Sequence, residues 1–250
     1  MSKPFLGAGQ LIKDTWQMFL KTWETTVRYA AWFILAGLLQ VLYLFFPSKG
    51  DVNLYGALSV IGWVAGIAVT VWATIMLYQV CFALDAKQKV SKQTPRDAIK
   101  LFWPFLLVAV LAGLATLGAT LLLVLPGVYV GVRVGFAQLS FIDKNKRGRT
   151  ALADSWTLTK NRFWGVLWRQ IAGAVVFGAL MMIATFAALW LVGLVAGGGK
   201  YEALMNPDPQ GTPAVAAIFS IIANIIQAAF IPLFFLYQVK LYKALRGAQE

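Results

Sequence analysis

The chain alternates long apolar runs with short polar ones almost from end to end, and six of the runs reach or approach the ~20 residues that a helix needs to cross a bilayer. They lie at 27–46, 54–84, 105–125, 127–142, 164–196 and 214–239. The second, fifth and sixth exceed the hydrocarbon thickness, so they are expected to tilt or to project beyond it. The fourth is short. Pro126 and Gly127 predict a tight turn between the third and fourth runs, and Pro232 predicts a kink in the sixth.

The segment ahead of the first run is patterned differently. Ile12, Trp16, Phe19, Trp23 and Val27 recur at helical spacing, with Lys13, Asp14, Gln17, Lys21 and Glu24 elsewhere, which predicts an amphipathic interfacial helix over 8–24. A similar pattern precedes the third run, where Thr94, Pro95 and Asp97 have the order of a capped helix start and Ile99, Phe102 and Trp103 form an apolar side. Before the fifth run, Asp154, Ser155, Trp156, Leu158 and Phe163 echo Asp14, Thr15, Trp16, Met18 and Trp23. One interfacial helix plus two spans, used three times, accounts for this. So does the general need of interfacial helices for Trp and Lys. The predicted fold is an all-α polytopic membrane protein, one integral membrane domain over residues 1–250.

Composition agrees with that pattern: 60% of the residues are hydrophobic, 13% are charged and mean hydropathy is +0.71, far above soluble domains. The positive-inside rule sets the orientation. Nineteen of the 22 Lys and Arg fall in the N-terminal segment, the second and fourth loops with the start of the fifth span, and the C-terminus; only Lys49 and Lys200 fall on the other side. Both termini are thus expected on the cytoplasmic side of an inner-membrane-type bilayer. The first run, preceded by two dozen mixed residues, reads as a retained signal anchor.

The net charge of +12 is explained by anionic lipid headgroups rather than nucleic acid, because the cations lie between apolar runs. Lys144, Lys146, Arg147, Arg149 and Arg162 form the densest part of this cytoplasmic collar, and seven of the ten tryptophans lie near the same face. A single cysteine, Cys81, and the lack of histidine disfavour a disulfide and the common metal sites, so no cofactor is expected. The ten acids form no paired arrangement in the apolar runs, which argues against an enzyme.

Within the fourth run, Gly127, Gly131 and Gly135 form a stripe at four-residue spacing where another helix can approach closely, either within the fold or in a homo-oligomer or a complex with another membrane protein. Arg133 is the one basic residue that the charge count leaves within the membrane. It either hydrogen-bonds structurally or holds an anion or lipid headgroup.

Leu125-Pro126-Gly127-Val128-Tyr129-Val130, Arg133, Phe136, Asp143, the run from Ala151 through Asp154-Ser155-Trp156 to Lys160, and Phe163-Trp164 together resemble a pattern in bacterial six-helix membrane families. It is similar to the YciC-like envelope proteins and to the membrane domain fused to some glycerophosphodiester phosphodiesterases. The resemblance covers about forty residues and implies association with the cell envelope without assigning catalytic residues. The function expected is a non-enzymatic envelope scaffold or maintenance protein that binds anionic lipid or a partner at its basic face. The alternative is a permease or channel subunit with a path near Arg133.

Overall fold

The computed structural model describes residues 6–40, 52–196 and 213–248. Among them every regular element is helical: α1 (Ala8–Ala30), α2 (Trp32–Gln40), α3 (Val52–Asp85), α4 (Thr94–Leu122), α5 (Val124–Val134), α6 (Ala137–Lys144), α7 (Arg149–Leu158), α8 (Phe163–Ala196) and α9 (Pro213–Gly247). Five stretches are long and apolar enough to cross a membrane: Gly56–Asp85, Thr94–Leu122, Val124–Lys144, Phe163–Val192 and Ser220–Gly247. The first expected span, 27–46, is divided. Its start is the end of α1, nine residues form α2, and the rest lies outside the described residues.

Three boundaries differ from those the pattern predicts. The N-terminal helix runs past residue 24 to Ala30, because Thr22 and Thr26 return their hydroxyls to the carbonyls of Met18 and Thr22 and so sit in a helix without an unpaired polar group. The segment before the third run is not a separate interfacial helix: α4 continues through Pro104 without interruption. Its cap is Gln93 rather than Thr94, whose hydroxyl instead donates to Ser91 O at 2.7 Å. Finally, the α4–α5 turn is made at Leu123, whose extended backbone (φ −163°, ψ 153°) reverses the chain. Pro126 and Gly127 lie inside the first turn of α5, where proline's missing N–H has no helical partner to lose.

The chain forms two compact units. The first comprises Met1–Thr26, Thr74–Val176 and Leu233–Glu250; the second comprises Val27–Ala73 and Phe177–Pro232, so α1, α3, α8 and α9 contribute to both. In the second unit a Cβ at Gly66 would meet Ala36 O at 2.9 Å and one at Gly37 would collide with Asn224, so these glycines allow close helix approach there. Trp32 meets Trp72 edge-on at 4.9 Å.

The first unit holds a dense aromatic and aliphatic core. Phe105, Phe136, Phe141, Leu139, Leu158 and Tyr242 are fully buried; Phe105 meets Phe141 at 5.9 Å, and Phe82 meets Tyr242 edge-on at 5.9 Å. Helices α4 to α7 pack against one another within this unit. The opposite sides of the long helices are apolar and exposed. On α4 the stripe runs Trp103, Leu107, Val110, Leu114, Leu117 and Leu121; on α8 it begins at Trp164, Trp168, Ile171 and Val175. Apolar patches of this extent belong in lipid rather than water.

Candidate functional site: the α5–α7 hinge and its basic margin

The fourth apolar run is interrupted: α5 ends at Val134 and α6 begins only at Ala137. A helix break frees a carbonyl and an N–H that must find partners when buried. Ser155 of α7 supplies both: its hydroxyl donates to Arg133 O at 2.7 Å and accepts from the Phe136 N–H at 3.1 Å. The side chain is fully buried, so this one residue satisfies both backbone groups at the break.

Arg133 lies one turn away and is 8% exposed. Its Nη2 donates to Tyr129 Oη at 2.7 Å and its Nη1 to Trp156 O at 3.2 Å. The guanidinium is 5.0 Å from the Tyr129 ring centre and 5.2 Å from that of Trp156; the two rings meet edge-on at 5.9 Å. No described carboxylate forms an ion pair with it. Two ring faces and two oxygens stand in for a counterion, each cation–π contact contributing on the order of 0.5–2 kcal/mol. The Nε–H is buried without a hydrogen-bond partner.

Asp154, the residue before Ser155, faces away from this cage. It pairs with Lys146 and Arg246. Arg246 also donates through Nε to Tyr242 Oη at 2.5 Å, and Tyr242 Oη donates to Asp143 Oδ2 at 3.0 Å. Burial pushes the Asp154 carboxyl up, but the hydrogen bond from Lys146, the nearby Ser140 hydroxyl and the charges of Arg246 and Lys146 outweigh it and hold the group below its ordinary value. The network clasps α6 and α7 to the end of α9.

The anticipated glycine stripe proves heterogeneous. A Cβ on Gly127 would collide with Thr120 Oγ1 and lie 2.9 Å from Thr120 Cα, so α5 closes directly on α4 there. Gly131 has only the Thr116 methyl near it, at 3.4 Å, while Gly135 faces the Gly131 carbonyl at 3.0 Å. Gly131 and Gly135 line an open crevice of about 400 Å³ together with Ala112, Gly113, Thr116 and Gln138.

The five collar cations also separate. Lys146 is committed to Asp154, and Arg162 donates to Ala248 O at 2.7 Å. Lys144, Arg147 and Arg149 are exposed, and no described carboxylate pairs with them. Exposed tryptophans occur in the same unit: Trp103 is 74% and Trp164 77% accessible. On α1 the face turned inward carries Leu11, Thr15 and Thr26, so Trp16, Leu20 and Trp23 are left outward.

The Asp154–Arg246–Tyr242–Asp143 network was missed by sequence reasoning because Arg246 lies 92 residues from Asp154. The available signal was local: Asp154, Ser155 and Trp156 are consecutive, yet they serve an ionic clasp, a helix break and a cation cage. Among the described residues no group of His, Cys, Asp or Glu is arranged to hold a metal ion. No protein-family model, curated protein or solved structure matches the chain.

Proposed function

We propose that this protein is a six-span inner-membrane protein of the cell envelope, without enzymatic chemistry of its own, that binds anionic lipid at a basic, tryptophan-rich cytoplasmic face. The observation that carries this reading is the division of labour among the charges: Asp85, Asp97, Asp143 and Asp154 of the first unit are taken up by Lys240, Lys243, Lys100, Arg246 and Lys146, while Lys144, Arg147 and Arg149 are left exposed without a described carboxylate. Exposed cations without a described carboxylate partner, in the same unit as tryptophans that project from the fold, suit a headgroup layer, where each is worth ~1 kcal/mol against anionic lipid. The local resemblance to YciC-like envelope proteins points the same way. The threefold repeat is kept as a proposal with one amendment: its middle interfacial segment is fused to the following span.

The alternative, a permease path at Arg133, draws less support, because that guanidinium is closed between two rings. The test of the lipid reading is the lipid retained on purification. The protein should carry anionic phospholipid above its share of the membrane, and replacing Lys144, Arg147 and Arg149 by Gln should return retention to the bulk ratio with the fold intact. Equal retention by the triple variant would overturn the reading.

A further inference from the structure

A second basic feature of the first unit is built differently from the exposed collar. A cavity of about 470 Å³ is lined by Leu6 and Leu11 of the N-terminal segment, by Asp14 of α1, by Asp85 at the end of α3 and by Lys240 and Lys243 of α9. Its volume falls in the range of small-molecule sites, and its wall is amphipathic: leucines on one part, ionic groups on another.

The ionic groups are unequally matched. Lys240 and Lys243, three apart on α9 and so on one side of it, both reach Asp85, with Nζ at 3.5 Å from Oδ1 and 2.7 Å from Oδ2 respectively. Two ammonium groups bring six donors to one carboxylate, and Lys243 also lies 5.5 Å from the Phe82 ring centre. The remaining acid, Asp14, accepts from Gln10 Nε2 at 2.8 Å and has no described cation paired with it. The wall therefore offers a lysine pair for an anion and a separate carboxylate for a cation, with leucines beside them.

We propose that this cavity binds a zwitterionic phosphoethanolamine lipid, its phosphate on Lys240 and Lys243, its ammonium toward Asp14 and its first acyl segment against Leu6 and Leu11, in competition with Asp85 for the two lysines. The proposal rests on the lipid-facing reading of this unit but concerns a different lipid and different residues from the collar. The lipid's phosphodiester carries one negative charge on two non-bridging oxygens, as the Asp85 carboxylate does, so it can take the place of Asp85 on the two ammonium groups. Asp85 thus sets the affinity as an internal competitor.

Delipidated protein in detergent, titrated with palmitoyl-oleoyl phosphatidylethanolamine and followed by native mass spectrometry, tests this. Lys240→Gln with Lys243→Gln should weaken binding about tenfold, whereas Asp85→Asn should strengthen it several-fold, a gain that misfolding does not mimic. Asp14→Asn should narrow the preference for phosphatidylethanolamine over phosphatidylglycerol. The Lys144, Arg147 and Arg149 triple Gln variant should leave this binding unchanged, so the collar and the cavity succeed or fail separately. Unchanged or weaker binding in Asp85→Asn would overturn the proposal. So would displacement of the lipid by equimolar glycerophosphoethanolamine, which would make the ligand a soluble phosphoester.

Discussion

At the residue scale the fold turns on Ser155, which holds a carbonyl and an N–H released by the break between α5 and α6. Ser155→Ala leaves both buried and unpaired, an expected cost of about 1–3 kcal/mol for each group left without a partner. A lowered thermal midpoint in detergent checks it. Arg133 is the complementary case. Arg133→Lys keeps the charge but loses the planar fork that reaches Tyr129 Oη and Trp156 O together, so it should destabilise nearly as much as Arg133→Ala in the same melting measurement. A lysine variant as stable as the parent would show that charge alone matters. The sequence marks Arg133 by its isolation among apolar neighbours, but the ring of Trp156 over it comes from 23 positions away, beyond the reach of helical periodicity.

At the scale of elements, long apolar helices were legible because membrane hydropathy is a sum over many residues, and α3, α8 and α9 each contain the run that predicts them. Punctuation was less legible. Pro104 and Pro126 look alike as breakers, yet one sits within a continuous helix and the other in a first turn, while the actual reversal falls on Leu123, which has no turn signature. What fixes it is the closure of Gly127 on Thr120, a contact between helices rather than a local preference. The clasp of α6 and α7 to α9 carries a pH prediction. A carboxyl held below its ordinary value of 3.8 contributes stability that is present above that value and lost as pH falls through the lower folded one. Unfolding midpoints of the parent should therefore drop below about pH 4 more steeply than those of Asp154→Asn. In a double-mutant cycle Asp154→Asn and Arg246→Gln should show coupling of about 0.5–3 kcal/mol, and additivity would remove the clasp.

At the scale of the whole molecule, charge is distributed asymmetrically along the chain. The basic segments carry nineteen of the 22 Lys and Arg, and the structure divides them into clasping and free groups, which composition alone does not separate. The proposed orientation places both termini and the collar in the cytoplasm, with Lys49 and Lys200 on the outside. In a Cys81→Ser background, cysteines at positions 49, 200 and 149 can be exposed to an impermeant thiol reagent in intact cells. Arg149 is exposed and free of carboxylate partners, so the change there leaves the clasp untouched. Labelling at 49 and 200, with labelling at 149 only after the membrane is opened, is the predicted result. Labelling at 149 in intact cells would put the collar outside and contradict the account.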